Sequence, residues 1–307
     1  MKILITGATG FIGKELLNHL DFAELTAISR SKNSQIDSIE WKHFSLESLL
    51  TAQTISDSYD VVIHLAGRAH VLNDKCEEPL AEFRKINTDI TIELAKQLAA
   101  NKLKRFVFVS SIGVNGASTE NKLPFTEDSV VAPHSDYAIS KHEAEVELSK
   151  LSKQLGFELV IVRPPLVYGA KAPGNFGKLV KLVSKGLPLP LGFINNKRSY
   201  VSVSNLASFI STCATHPKAA NETFLISDGS PISTTELMKK LNVALGVKSI
   251  LLPVPKVILA FLFNIIGKRN MTTQLLDNLE VDNSKAKRLL NWTPVETIDQ
   301  ALIKLKT

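Results

Sequence analysis

Residues 2–13 read KILITGATGFIG, an apolar run followed at once by three spaced glycines. The run KILIT predicts a buried strand, and the pattern after Gly13 predicts a helix, so that Gly7, Gly10 and Gly13 lie in the turn between them. A strand, a glycine turn and a helix in this order bring backbone N–H groups up to a pyrophosphate. The stretch therefore predicts the first βαβ unit of a dinucleotide-binding domain.

The rest of the first half repeats this alternation of apolar runs and helical patterns. The runs LTAIS, DVVIHLA, RFVFVSS and LVIVRPP are separated by segments with helical spacing. Such alternation predicts an α/β fold with a doubly wound parallel Rossmann sheet. After Pro164 and Pro165 the chain becomes rich in Gly and Pro. We therefore predict a Rossmann domain from residues 1–164 plus about 199–219, and a smaller mixed α/β substrate domain from about 165–198 plus 220–307.

The composition excludes several classes of protein. Of the 307 residues, 44% are hydrophobic and 21% are charged, as in ordinary globular proteins. The net charge of +6 comes from scattered basic residues with no nucleic-acid signature, so we expect no nucleic-acid partner. Cys76 and Cys213 are isolated in sequence and predict neither a disulfide framework nor a metal site. With no export signal visible at the start, we expect a cytoplasmic protein.

The most apolar stretch of the chain is LLPVPKVILAFLFNIIGK at residues 251–268. Pro253, Pro255 and Lys256 interrupt it, which leaves fewer uninterrupted residues than the ~20 needed to cross a bilayer. We therefore expect no membrane span and predict a buried helix. Peripheral association with a membrane surface stays open as an alternative, because Lys256, Lys268 and Arg269 flank the apolar residues.

The glycine turn and the second strand carry the predicted cofactor contacts. A phosphate-binding P-loop is excluded because Lys14 is followed by Glu15. At the end of the second strand, where a carboxylate favours NAD, the residue is Arg30, which favours the extra phosphate of NADP. The turn contributes six predicted cofactor-binding residues, which are Gly7, Thr9, Gly10, Phe11, Ile12 and Gly13.

Tyr137 and Lys141 lie four residues apart in PHSDYAISKHEAEVEL, residues 133–148. This spacing puts both side chains on one face of a helix that Ser135 or Asp136 would cap. By itself the pattern is compatible with a packed tyrosine and a lysine that extends into water. The remaining motifs have to decide between packing and catalysis.

Together with GATGFIG, the stretches HLAGRAH, VSSIGVNG, YAISK, RPPLVYG and RSYVSV stand in order along the chain. In these motifs the chain resembles the extended short-chain dehydrogenases/reductases, and among them the sugar-nucleotide epimerases and reductases. The resemblance implies that Tyr137 is the catalytic acid/base, that Lys141 lowers its pKa and holds the nicotinamide ribose, and that Ser111 orients the substrate. A free phenol has a pKa of ~10, so proton transfer at neutral pH needs nearby positive charge.

The same resemblance implies further contacts. Leu65, Ala66 and Gly67 would line the cofactor channel, and Asn87 would lie near the active site. Asn175 and Arg198 would hold the pyrophosphate of a UDP-sugar, and Phe176 with the loop 186–192 would border its uridine. We expect His64 to be a core histidine and give His70 no role. Two departures are Asn115, where relatives have tyrosine, and Ser45 with Leu46, where they have an aspartate.

The residues around Ser111 favour some reactions of this family over others. Ile112 and Gly113 stand where 4,6-dehydratases carry an Asp-Glu pair, so dehydration is disfavoured. Arg30 favours an exchangeable NADP, and the chain looks most like reductases of UDP-4-keto-6-deoxy-N-acetylhexosamine, which make precursors of surface polysaccharide such as O-antigen. UDP-glucose or UDP-N-acetylglucosamine 4-epimerase is the alternative, and a non-catalytic NAD(P)-sensing protein is a third. The family implies a homodimer through the helix of Tyr137 and the helix at residues 86–100.

Overall fold

A computed structural model describes residues 1–21, 23–31, 38–51, 53–69 and 77–306 of the chain. Seven strands form one sheet in the order β3-β2-β1-β4-β5-β6-β9, and all its neighbours are parallel. Two short strands, β7 and β8, pair separately. The strands are β1 Lys2–Thr6, β2 Glu24–Ser29, β3 Ile39–His43, β4 Val61–His64, β5 Arg105–Val109, β6 Glu158–Arg163, β7 Leu166–Tyr168, β8 Tyr200–Ser202 and β9 Thr223–Leu225.

Helices cover both faces of the large sheet. They are α1 Phe11–Leu16, α2 Pro79–Arg84, α3 Ile90–Ala100, α4 Asp136–Leu155, α5 Gly174–Val183, α6 Val203–Thr215, α7 Thr234–Leu245, α8 Lys256–Ile265, α9 Arg269–Leu275, α10 Ser284–Leu290 and α11 Ile298–Ile303. A π-helical turn, Lys85–Asp89, joins α2 to α3. No helix in the described part of the chain is both long and apolar enough to cross a membrane.

Alternate residues of the strands pack in two separate apolar cores, one on each face of the sheet. In β1, Ile3 and Ile5 join the core with α1 and α6, whereas Leu4 joins the core with α3 and α4. A period of two is what a strand buried on both faces requires. The predicted doubly wound Rossmann sheet is thereby confirmed.

A third apolar cluster lies in the second half of the chain and joins α5, α7, α8 and α11. It includes Phe176, Leu189, Met238, Leu241 and Leu259. The division into two domains stays a prediction. Strand β9 lies within residues 220–307, which were predicted for the smaller domain, but it pairs with β6 in the large sheet.

The prediction of a buried helix in residues 251–268 is wrong for the outer face of α8. Only Leu259 is buried among its ten residues. Val257 is 78% exposed and Phe261 is 62% exposed. The sequence pattern misleads because this helix is apolar on both faces, and apolarity on all sides ordinarily indicates full burial.

Candidate active site

The strand order reverses between β1 and β4, and the turns that follow these two strands meet there. In open α/β sheets ligands bind at such a point, outside the carboxyl ends of the strands. A Cβ on Gly7 would lie 2.8 Å from the Ala66 nitrogen, and Gly7 has a φ of +75°. A Cβ on Gly13 would lie 2.2 Å from the Gly7 oxygen. Only glycine therefore lets helix α1, the turn and the β4 turn pack this closely.

The middle of the glycine turn is open to a ligand. Thr9 and Gly10 are exposed, whereas Ala8 and Gly13 on either side are buried. The first N–H groups of α1 have no partner within their own helix. Backbone donors at the start of α1, beside a turn in which Gly7 and Gly13 admit no side chain, fit the pyrophosphate of a dinucleotide.

Helix α4 positions Tyr137 and Lys141. Its N-cap is Ser135, whose hydroxyl accepts a hydrogen bond from the Ala138 nitrogen at 3.3 Å. The half-buried ring of Tyr137 meets Phe83 edge-on at a centroid distance of 6.2 Å. Lys141 is 3% exposed, and its Nζ donates to the Val109 carbonyl at 2.9 Å. The ammonium therefore lies at the end of β5, with two of its three donors still available to a ligand.

Burial changes the acidity of both groups. It raises the pKa of Tyr137 to about 12 and lowers the pKa of Lys141 to about 8, and the Glu145 carboxylate opposes the second shift. At neutral pH the phenol is therefore protonated and the ammonium is charged. The phenol would need further positive charge nearby before it could release its proton.

The loop after β5 brings Ser111 to the start of α4. Ser111 is half-buried and its Oγ accepts from the Gly113 nitrogen at 3.1 Å. A Cβ on Gly113 would lie 3.3 Å from both the Ser111 Oγ and the Ala138 Cβ, so the loop packs directly on the residue after Tyr137. Ser110 is 3% exposed, and its Oγ finds no hydrogen-bond partner within the described residues. Ser111, rather than Ser110, is accessible to a substrate.

Asn87 clamps the β4 turn against α4. Its Oδ1 accepts from the Arg68 nitrogen at 2.7 Å, and its Nδ2 donates to the Arg68 carbonyl at 3.1 Å and to the Ser140 Oγ at 3.0 Å. Ser140 in turn donates to the Tyr137 carbonyl at 2.8 Å. Asn87 lies in the π-helical turn and is fully buried. The fully satisfied amide fixes the backbone next to Gly67 relative to the tyrosine helix.

A buried chain of hydrogen bonds connects the β4 turn to the backbone of Asn87. The Ala66 nitrogen donates to Thr6 Oγ1 at 3.3 Å, Thr6 Oγ1 lies 2.7 Å from His64 Nδ1, and His64 Nε2 lies 2.9 Å from Thr91 Oγ1. Thr91 Oγ1 donates to the Asn87 carbonyl at 2.8 Å. Because the Thr91 proton is used there, His64 must donate through Nε2 and accept through Nδ1. His64 is thus a core histidine that ties β1, β4 and α3 together.

His64 is expected to stay neutral, as the Nε2–H tautomer, from pH 5 to pH 9. Burial, aided by the charge of Lys141, lowers its pKa to about 3. Nitrogen-15 NMR of the imidazole measures this, with the resonance assigned by its loss in His64→Gln. The folded pKa lies below the unfolded value of ~6.5, so this group stabilises the fold above that pH, and its contribution falls as the pH drops toward 3. A ring that titrates near pH 6.5 would contradict the assignment.

Sequence reasoning missed a buried ion pair behind the site. Arg163, from the RPPLVYG motif, donates through Nη2 to Glu145 of α4 at 2.5 Å and through Nε at 3.0 Å. Its Nη1 donates to the Asn115 Oδ1 at 3.1 Å, and Asn115 donates to the Thr126 carbonyl. The side chains of Arg163 and Glu145 are 8% and 4% exposed. Asn115, which replaces the tyrosine of relatives, therefore completes a structural cluster.

The residues predicted to hold the substrate have partners within the protein. Asn175 donates to Gln274 Oε1 at 2.9 Å, and Arg198 Nη1 donates to the carbonyls of Thr273 and Asp277. Burial lowers the pKa of Arg198. Phe176 is 1% exposed and packs on Tyr168 at a centroid distance of 5.5 Å. The substrate roles of Asn175, Phe176 and Arg198 stay predictions.

Two further sequence predictions concern the cofactor side. Arg30 is exposed directly after β2, at the same edge of the sheet as the glycine turn. His70 and Cys76 lie outside the described residues. A cavity of about 540 Å³ reaches Thr9, Gly10 and Phe11, but it extends along α1 toward Lys171 and Glu296 and does not reach Tyr137. This cavity therefore does not coincide with the predicted catalytic residues.

Comparison with known proteins identifies the class of the chain. The model of the NAD dependent epimerase/dehydratase family matches residues 3–227. The chain is 41% identical over 304 residues to the UDP-glucose 4-epimerase of Vibrio cholerae, covering 97% of this chain and 92% of that protein. It is 24% identical over 326 residues to the dTDP-4-dehydro-6-deoxyglucose reductase of Escherichia coli, covering 99% and 96%. The chain therefore belongs to the NAD dependent epimerase/dehydratase family.

A solved structure gives the same assignment for the fold. The UDP-N-acetylglucosamine 4-epimerase from Bacillus cereus superposes with a TM-score of 0.77 at 24% identity, over 100% of this chain and 95% of that one. The fold is that of the extended short-chain dehydrogenases/reductases, and the chain is an NAD(P)-dependent enzyme of the sugar-nucleotide epimerase and reductase kind.

Proposed function

We propose that this protein interconverts UDP-sugars that differ in configuration at C4. The observation that carries the proposal is the 41% identity over 97% of the chain to a UDP-glucose 4-epimerase. The sequence alone favoured the reductase, and this relative moves the preference to the epimerase. The arrangement of Tyr137, Lys141 and Ser111 at the switch point supports oxidation and reduction at a carbinol carbon in either case.

The proposed reaction assigns separate roles in cofactor binding and proton transfer to residues of the chain. Gly7 and Gly13 let the turn, α1 and the β4 turn pack closely, and this turn would present backbone N–H groups to a pyrophosphate. A dinucleotide held by this turn would supply a hydride acceptor and donor for the C4 carbon of the sugar. Tyr137 takes the proton of the C4 hydroxyl and gives it back to the oxygen after the sugar has turned over. Ser111 donates a hydrogen bond to that oxygen.

Lys141 makes this proton transfer feasible near neutral pH. Its ammonium lies one helical turn from Tyr137, and a positively charged nicotinamide would add to its field. Both charges favour the phenolate and thus oppose the burial that raises the pKa of Tyr137 to about 12. In this role Lys141 acts on the tyrosine by charge and on the ribose by hydrogen bonds.

Reduction of a UDP-4-keto-6-deoxy-N-acetylhexosamine is the second candidate. Arg30, at the end of β2, favours the 2′-phosphate of NADP, and an exchangeable NADPH serves a reductase rather than an epimerase. A homodimer through α3 and α4 is proposed in either case. A non-catalytic role is disfavoured because the acid/base pair is intact.

One assay separates these candidates. The purified protein is mixed with UDP-glucose or UDP-N-acetylglucosamine and the sugar is followed by proton NMR. Appearance of the C4 epimer without net consumption of dinucleotide supports the epimerase. Stoichiometric oxidation of NADPH or NADH by a UDP-4-keto-6-deoxy-N-acetylhexosamine supports the reductase, and the preferred cofactor tests Arg30. Binding of dinucleotide with no turnover of either substrate contradicts both.

A further inference from the structure

The outer face of helix α8 is apolar, and no described residue of the chain covers it. Five side chains form it, and they are between 47% and 78% exposed, namely Val257, Ile258, Phe261, Leu262 and Ile265. Their spacing of one, three or four residues puts them on one side of the helix, opposite Leu259 in the third apolar cluster. A helix on the surface of a globular protein ordinarily carries polar residues there. An exposed apolar face of this kind marks a site of interaction.

The segment that leads into α8 continues the apolar surface. Ile250 is 61% exposed and Leu252 is 43% exposed. Backbone hydrogen bonds hold this segment against the preceding loop, from the Leu189 nitrogen to the Ile250 carbonyl at 2.8 Å and from the Leu252 nitrogen to the Leu189 carbonyl at 2.8 Å. The apolar surface is therefore fixed in place by the fold.

The two segments that form and support this face carry side-chain charge of one sign. Residues 165–198 and 237–276, which include α5 and α8, contain no Asp or Glu and carry six Lys or Arg each. Carboxylates from elsewhere meet Lys197, Lys240 and Lys256. In the described part of the chain no ion pair forms at Lys185, Lys248 or Lys268.

Two of these lysines lie beside the start of the segment that leads into α8. Lys248 and Lys185 flank a contact in which the Ser249 Oγ donates to the Val183 carbonyl at 2.9 Å. Lys268 follows the C-terminal end of α8. All three are exposed. The apolar surface of residues 250–265 thus has basic residues near its two ends, whereas Lys256 between them is paired with Glu120 and Asp277.

We propose that the outer face of α8 docks on the surface of an anionic lipid bilayer. An apolar helix face with basic residues near its ends fits the boundary between headgroups and acyl chains. With ten residues α8 is about 15 Å long, half of the ~30 Å hydrocarbon core, so it lies in the plane of the interface. A second copy of this chain fits less well, because a two-fold interface would bring the same basic residues together.

Vesicle co-sedimentation of the full chain tests this docking. We expect binding to vesicles that contain phosphatidylglycerol and weak binding to pure phosphatidylcholine. The double variant Phe261→Asp/Ile265→Asp should bind at least ~10-fold more weakly, because it puts two carboxylates into the apolar face. Lys185→Gln and Lys248→Gln should each cost about fivefold, since a basic residue near an anionic surface contributes about that factor.

A matched control places the same two charges elsewhere. Val130 and Leu155 are 87% and 48% exposed, so Val130→Asp/Leu155→Asp alters an equal number of exposed apolar side chains away from α8. This variant should bind anionic vesicles as the unchanged chain does. Turnover of a water-soluble UDP-sugar, measured for every variant, shows that each has folded.

The docking is overturned if the unchanged chain does not sediment with anionic vesicles, or if both double variants sediment equally. Sedimentation velocity that shows self-association lost only in Phe261→Asp/Ile265→Asp would assign the face to a second copy. If the chain shows no vesicle binding and no self-association, the face is assigned to contact with another protein.

Discussion

Replacing Tyr137 with phenylalanine is expected to lower turnover of the sugar nucleotide by about 10²–10⁴-fold and to leave dinucleotide affinity nearly unchanged. A positioned acid/base contributes about this much to a rate, and phenylalanine removes only the hydroxyl. The ring that meets Phe83 is kept, so the start of α4 should not move. Steady-state turnover and a fluorescence titration with the dinucleotide measure the two quantities.

A second tyrosine provides the control. Tyr59 is 5% exposed and belongs to the apolar core between the sheet and α3 and α4. Tyr59→Phe removes a phenolic hydroxyl from the same domain and should leave turnover unchanged within about twofold. If Tyr137→Phe keeps full turnover, or loses dinucleotide binding in proportion, Tyr137 is not the acid/base.

Replacing Glu145 with alanine is expected to lower the free energy of unfolding by about 3–5 kcal/mol. The substitution leaves the Arg163 guanidinium buried without its carboxylate, and loss of one partner of a buried pair has this cost. Removal of the carboxylate should also lower the pKa of Lys141 further below about 8, because Glu145 now raises it. Urea unfolding at neutral pH measures the first effect.

The same helix contains the matched control. Glu143 pairs with Arg84 at 2.7 Å, but both side chains are substantially exposed. Glu143→Ala should therefore cost much less than Glu145→Ala, since water screens exposed pairs. The double variant Glu145→Leu/Arg163→Met should regain much of the lost stability, because no charge is left buried. Equal costs for the two glutamate variants would contradict this account.

Local patterns were sufficient to predict the sheet and the glycine turn. The alternation in β1 and the spacing of Gly7, Gly10 and Gly13 are properties of neighbouring residues, and they specify local geometry directly. The pairing of Arg163 with Glu145 joins two elements that are 18 residues apart in sequence. No periodicity reports such a contact, so it required the structure.

Burial of α8 was mispredicted for a related reason. Apolar periodicity shows which faces avoid water, but it does not show what covers them. The domain division stays a prediction, and a local pattern could not show that β9, at residues 223–225, pairs with β6 in the large sheet. The roles of Ser111, Tyr137 and Lys141 rest on the resemblance and on the proposed chemistry.

The π-helical turn at Lys85–Asp89 and the regular turns of α3 differ in how they respond to a change in residue count. A π-helical turn is one residue wider than an α-helical turn, so it amounts to a single-residue insertion between α2 and α3. The wider turn accommodates that extra residue, whereas deleting one residue within α3, where the turns are α-helical, would rotate everything before the deletion by about 100° relative to the rest of α3. Phe83 would then turn away from Tyr137. In the evolution of α3, point substitutions can be neutral where the deletion of one residue would not be.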